Sequence, residues 1–254
     1  VITTGPPHSL HLIGLELKKR IKIRWITDFR DPWTSIGYHK KLKLTNASQA
    51  KHKKLEHLVL NEADKIIVTS NTTRREFSHI TQKPITVITN GYDTSPGNSV
   101  ALDVDFTISH IGSLLTGRNP LNLWKALSEL IQEYPDIKKC FKLQLAGVIS
   151  SDVLESIYFY GLQSYTKLLG YISHDEALQY QKKSQVLLLI EIDSEETQGI
   201  IPGKVFEYMA SKRPILGIGP TNWEVGELIA KSNTGKTFTY PQLDELKSTL
   251  LQWF

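Results

Sequence analysis

The sequence predicts an α/β fold of two parallel-sheet domains, and three observations carry that expectation. From residue 105 onward, apolar runs alternate regularly with amphipathic stretches of helical length. Residues 1–92 repeat the pattern with fewer strands. Between the two lies "YDTSPGNSVALDVD", rich in turn formers and without periodicity, which reads as a linker. Near-continuous apolar strands separated by helices mean a parallel sheet covered on both faces. The expected domains are therefore residues 1–98 and 99–254.

Taken in order, "VITTG", "IRWITDF", "KIIVTS" and "ITVITNG" are the strands of the first domain, all but the last followed by a helical segment. The second domain opens with the strand "FTISHIGSL" and the amphipathic helix "NPLNLWKALSELIQEYP". "KLQLAGVI" and "YTKLLGYI" are strands around the helix "SDVLESIYFYGL". "SHDEALQYQKKS" is a helix that opens on an N-cap serine with a glutamate three residues later. "QVLLLIEI" is a buried strand, and "GKVFEYMASKR" a helix leading into the strand "PILGIG". "WEVGELIAKSN", "GKTFTY" and "QLDELKSTLLQWF" close the chain as helix, strand and helix.

Length and an apolar content of 40% allow a real core. The lone Cys140 excludes a disulfide framework and a cysteine-rich metal site, and points to a reducing compartment. No uninterrupted apolar run reaches the roughly 18 residues of a membrane span. The net charge of +4 is unevenly spread: residues 1–100 hold 16 Lys/Arg against 8 Asp/Glu, so the first part is basic and the second acidic. Stretches such as "ELKKRIKIR" suit an anionic surface or substrate. No motif of a nucleic-acid-binding protein accompanies them.

In parallel sheets of this kind ligands sit beyond the carboxyl ends of the strands, and four clusters fall there. "GSLLTGRNP" follows the first strand of the second domain, with Gly112 and Ser113 to bring backbone to a phosphate and Arg118 to clamp it. "EIDSEETQGIIPGKVFE" follows the "QVLLLI" strand and brings Glu195, Glu196 and Gly199 beside Lys204 and Glu207. Lys204 and Glu207 share a helix face, as a phosphate-binding cation and a ribose-binding carboxylate would, or as a plain i,i+3 ion pair. "DFRDPW" sets Asp28 and Asp31 around Arg30, where an Arg–Asp pair is expected on the charges alone. In "TTGPPHSLH", His8 and His11 read as capping or surface residues. These residues point to a phosphate-bearing ligand. They leave a kinase, a sugar transferase and, less well without a glycine fingerprint, a dehydrogenase open.

The segments "TTGPPHSLHLIG", "WITDFRDPW", "KIIVTSN", "VITNGYD", "HIGSLLTGRNP" and "PGKVFEYMASKRPIL" together resemble the group 1 retaining glycosyltransferases of GT-B architecture, in particular bacterial members that build surface polysaccharide or lipopolysaccharide. The resemblance runs through nearly the whole chain, in the family's order. It implies two Rossmann-like domains, the C-terminal one for a nucleotide-sugar donor and the N-terminal one for a saccharide or lipid-linked acceptor. No metal and no cofactor are implied, because protein cations meet the leaving diphosphate. Lys204 then resembles the phosphate-binding lysine and Glu207 the ribose-binding glutamate, with Arg118, Gly112, Ser113 and Gly199 completing the donor site. Asp28 and Glu196 are the implied catalytic residues, although Glu196 stands eleven positions before Glu207, a wider spacing than the family's. Residues 1–20 show no counterpart of the family's first strand, glycine-rich loop and helix, and no crossover helix follows Phe254. The resemblance thus implies a fragment whose incomplete N-terminal sheet a second copy could cover, working at the cytoplasmic face of an anionic membrane. A nucleotide-binding but catalytically incomplete fragment and a sugar-nucleotide epimerase are the alternatives.

Overall fold

The computed structural model describes residues 1–37, 39, 42–93 and 100–254. Contacts divide the chain into two units: Val1–Asn90 together with Glu196–Pro202, and Gly91–Glu195 together with Gly203–Phe254. Residues 94–99, with much of the expected linker and its boundary at 98, lie outside the described residues.

The first unit is a four-stranded parallel sheet in the order β1-β2-β3-β4: Ile2–Gly5, Ile26–Phe29, Lys65–Val68 and Ile85–Val87. Helices among its described residues include α1 (Ser9–Ile21), α2 (Asn46–Glu62) and α3 (Asn71–Ser78). The β2 register sets Thr4 opposite Asp28 and Gly5 opposite Phe29. The core gathers Leu15, Trp25, Phe29, Trp33, Val59, Leu60, Ile66, Val68 and Phe77. Trp25 is fully buried, and its indole N–H donates to Thr3 Oγ1 at 2.8 Å. Gly14, a poor helix residue in isolation, is what lets α1 lie against that indole: a Cβ there would collide with it. The Thr45 hydroxyl caps α2 through Ser48 N–H (3.2 Å), and the Ser70 hydroxyl caps α3 through Thr73 N–H (3.1 Å).

The second unit holds a six-stranded parallel sheet, β5 (Phe106–Ile111), β6 (Phe141–Ala146), β7 (Thr166–Gly170), β8 (Val186–Ile190), β9 (Ile215–Gly219) and β10 (Gly235–Thr239), in the order β10-β9-β8-β5-β6-β7. Strand order reverses between β5 and β8, the switch point at which such sheets bind ligands. The helices are α4 (Leu121–Glu133), α5 (Pro135–Cys140), α6 (Ser151–Phe159), α7 (His174–Lys183), α8 (Lys204–Ala210), α9 (Glu224–Ser232) and α10 (Asp244–Trp253). The central strands β8 and β9 are buried at every position, as their unbroken apolar sequences require. Ser173 and Glu176 form the capping box expected at the start of α7. Helix α5 was not legible in the sequence: Tyr134 ends α4 in an extended conformation, and Pro135 sits in the first turn of a new six-residue helix.

Candidate functional site

In the second unit, the carboxyl end of β5 meets the first turn of α8. Ile111, the last residue of β5, has both backbone groups tied to that helix: its N–H donates to the Tyr208 hydroxyl at 2.9 Å, and its carbonyl accepts from Lys204 Nζ at 3.0 Å. Tyr208 is fully buried, which raises its pKa and keeps it a neutral donor and acceptor. Gly112 follows in a left-handed conformation (φ +124°), and a Cβ on it would sit 2.5 Å from Lys204 Nζ. The glycine is therefore the space in which the ammonium rests. Its own N–H is engaged, donating to Ala146 O at 3.0 Å.

Lys204 and Glu207 do not pair. Lys204 turns to the Ile111 carbonyl, while Glu207 Oε2 accepts from the Gln181 amide on α7 at 3.0 Å. Burial, then the charge of Arg118, lowers the Lys204 pKa to about 8, against an opposing pull from Glu191 and Glu207. The helix has only seven residues and no side-chain cap, so the charge at this point is the lysine's more than the helix dipole's. Arg118, expected to clamp phosphate with both arms, places Nε and Nη2 at 3.1 and 2.8 Å from one oxygen, Oε1, of the buried Glu191. Glu191 Oε1 also accepts from Ile192 N–H, and Tyr240 donates to the Glu191 carbonyl. The guanidinium is thus held rigidly by one edge, and its side chain remains about a third exposed. Ser113 stands between Gly112 and Leu114, whose N–H bonds to Val148.

The residues the sequence did not reveal here are Glu191, Gln181, Tyr208 and His110. His110 is wholly buried in β5, with Nδ1 2.9 Å from the Leu188 carbonyl. A carbonyl can only accept, so Nδ1 carries the proton and Nε2 is the acceptor. Burial, reinforced by the Lys204 charge, lowers its pKa to about 3. Its one sequence signal is a histidine inside an apolar strand, two residues before Gly112.

The remaining candidates fall in the first unit. Glu196 and Gly199 belong to the Glu196–Pro202 segment that packs there. Glu196 Oε2 stands 2.8 Å from where a Cβ on Gly37 would be, and Gly199 rests against Thr72 and Ser70. Glu195 ends the second unit's span and opens a single 3-10 turn, Glu195–Thr197. Asp28 closes on Arg30 Nη1 at 3.5 Å, as the charges suggested, and Arg30 also donates to Asn90. Asp31 is pushed up by burial, against the pull of Arg30. His8 and His11 are not surface residues: they are 9% and 0% exposed, stacked on one another, with His8 also stacked on Phe29 and Trp33 and His11 tilted against Phe29. The aromatic wall from β2 and the loop after it buries them, which the local sequence does not show. Burial lowers both pKa values to about 4.

Among the described residues, no group of three or more His, Cys, Asp or Glu side chains is arranged to hold a metal ion. None of their helices is long and apolar enough to cross a membrane.

Residues 1–96 match the family model described as Glycosyltransferase Family 4. No curated protein sequence matches the chain. Among solved structures, HepE of Anabaena in complex with UDP superposes with a TM-score of 0.70 at 15% identity, over 99% of this chain and 68% of that one. Sucrose-phosphate synthase of Thermosynechococcus elongatus gives 0.65 at 14%, over 99% and 63%. WaaG, a glycosyltransferase involved in lipopolysaccharide biosynthesis, gives 0.64 at 13%, over 98% and 74%. The chain thus spans under two thirds of the length of the synthase and about two thirds to three quarters of the other two. Residues 1–96 carry the glycosyltransferase family 4 signature, and the two parallel sheets have the fold of the GT-B glycosyltransferases.

Proposed function

We propose that this chain belongs to a glycosyltransferase that moves a sugar from a nucleotide-sugar donor to a saccharide or lipid-linked acceptor with retention, in the synthesis of cell-surface glycan. The observation that carries the reading is Lys204: a partly buried ammonium at the switch point, hydrogen-bonded to a carbonyl, its pKa depressed to about 8. Such a group gains most from an anion brought to it. Arg118, fixed on Glu191, adds a second cation. In this reading the two meet the diphosphate without a metal ion and stabilise the charge that develops on the leaving group. Glu207 holds the ribose, and Gly112 keeps the lysine's space open. The acceptor hydroxyl attacks the anomeric carbon from the face the diphosphate leaves, with Asp28 and Glu196 serving the reacting sugar. The basic first part docks on anionic lipid at the cytoplasmic face of the membrane.

HepE was solved with UDP, and with UDP and glucose, which makes UDP the first diphosphate to try. The test is calorimetric titration with UDP, GDP, ADP and CMP, free and sugar-linked, followed by mass spectrometry with an acceptor. Selective binding of one nucleotide and transfer of the sugar it carries are expected. Conversion of the donor without any acceptor would make the protein an epimerase, and failure to bind any of them would overturn the donor site. Lys204→Ala should weaken binding of the preferred diphosphate by about 1.5–3 kcal/mol, the worth of a charged hydrogen bond. An unchanged affinity would return Lys204 to a structural role.

A further inference from the structure

A cavity of about 360 Å³ lies between α7 and α8, lined among others by Glu207, Gln181, His174 and Asp93. Gln181 is 2% exposed, and its Nε2 donates to Glu207 Oε2 at 3.0 Å. Its own Oε1 is buried and has no hydrogen-bond partner. A tie that merely joined two helices would not need this: an apolar side chain would fill the same place without an unsatisfied amide oxygen, which costs about 1–3 kcal/mol. The amide does one thing an apolar group cannot do, which is to hold one oxygen of the Glu207 carboxylate. With Oε2 held, Oε1 is left for a ligand in the cavity, and Lys204 does not compete because it is turned to Ile111.

We propose that Gln181 is a positioning residue that fixes the Glu207 carboxylate for a vicinal diol, so that this pair sets the preference for a ribonucleotide over its deoxy counterpart. The inference rests on the reading of Glu207 as the ribose ligand. A carboxylate aimed in advance accepts two hydroxyl protons without first giving up rotamer freedom. One that swings freely grips the diol poorly while leaving the phosphate contacts of Lys204 and Arg118 untouched.

The experiment titrates wild type, Gln181→Leu and Gln181→Glu with whichever of UDP, GDP, ADP or CDP binds best, with its 2′,3′-dideoxy form, and with inorganic pyrophosphate. Wild type should prefer the ribonucleotide by about tenfold or more. In Gln181→Leu the preference should shrink to about threefold or less, with pyrophosphate affinity unchanged. Gln181→Glu should regain the preference toward acid pH, where the introduced carboxyl, once protonated, offers a donor proton in place of the amide's. A preference that survives in Gln181→Leu, or an equal loss for all three ligands, overturns the positioning role alone. A wild type without the preference removes Glu207 from the ribose. A wild type that binds no nucleotide overturns the donor reading, and this inference with it.

Discussion

Lys204 shows how one residue can have opposite effects on binding and on folding. Its pKa is about 8 in the folded chain, lowered by burial and by Arg118, against about 10.4 for a free lysine. Diphosphate binding uses the ammonium form, so affinity should decline as pH rises through about 8 and level off at the affinity of Lys204→Ala. The group's contribution to stability runs the other way. Between about 8 and 10.4 the unfolded chain binds the proton that the folded chain has released, so stability from this group rises with pH. Calorimetry from pH 7 to 9.5 on both proteins checks it: wild type should converge on the variant, and parallel curves would sink the idea. The residue scale is also where the sequence said least. Lys204, Glu207 and Arg118 stood out through their spacing, but their partners did not. Glu191 lies 73 residues from Arg118, and Gln181 lies 26 from Glu207. Which of two neighbouring charges takes which partner is decided by strands that meet in space, and no local pattern records it.

The elements were far more legible. Among the described residues the strands and nearly all helices show in the sequence, most plainly the central strands β8 and β9, which are buried and apolar throughout, and the amphipathic helices that cover the sheet. What stayed hidden was a change of side. Residues 196–202 lie between β8 and α8 in sequence yet pack with the first unit, so Glu196 and Lys204, eight positions apart, belong to different units. Burial of polar residues within elements was hidden too. His11 Nδ1 on α1 shares a hydrogen bond with the Thr3 hydroxyl (2.9 Å), which also accepts from Trp25. Its Nε2 is buried and has no partner. His11 and His110 are both fully buried, with pKa values lowered by burial to about 4 and about 3. An unfolded histidine titrates near 6.5, so the unfolded chain takes up protons first as pH falls. Each of these histidines should therefore remove about 1.4 kcal/mol per pH unit from its unit's stability between pH 6.5 and its folded value. Urea unfolding at pH 7 and pH 5 should show the loss. Imidazole carbon NMR should show both rings neutral at pH 5 in the folded protein, and a ring at either position titrating near 6.5 would contradict it.

At the scale of the whole molecule, charge and exposed apolar surface coincide in the first unit. Leu10, Ile13, Leu17 and Ile21 recur along α1 at helical spacing, and they are 40%, 57%, 36% and 60% exposed. Ile2 on the edge strand β1 and Val1 just before it are exposed as well. Lys19, Arg20, Lys22 and Arg24 lie exposed among them, and Glu16, the one acid on α1, is paired with Arg20. An apolar helix face bordered by cations fits the interface of an anionic bilayer, where it can bury its side chains at the headgroup boundary while each well-placed Lys or Arg adds about 1 kcal/mol. The full chain should float with vesicles containing phosphatidylglycerol and not with phosphatidylcholine alone. High salt should weaken the attachment by screening the cations, and Ile13→Glu with Leu17→Glu should abolish it while leaving nucleotide affinity intact. Lys19→Glu with Lys22→Glu should reduce it only on anionic vesicles. If the protein instead stays in solution and sediments as a dimer that the Ile13→Glu, Leu17→Glu pair dissolves, the face belongs to a second copy. The two outcomes differ for a physical reason: a dimer interface buries apolar area regardless of lipid charge, whereas a membrane site of this composition needs both the charge and the apolar stripe at once.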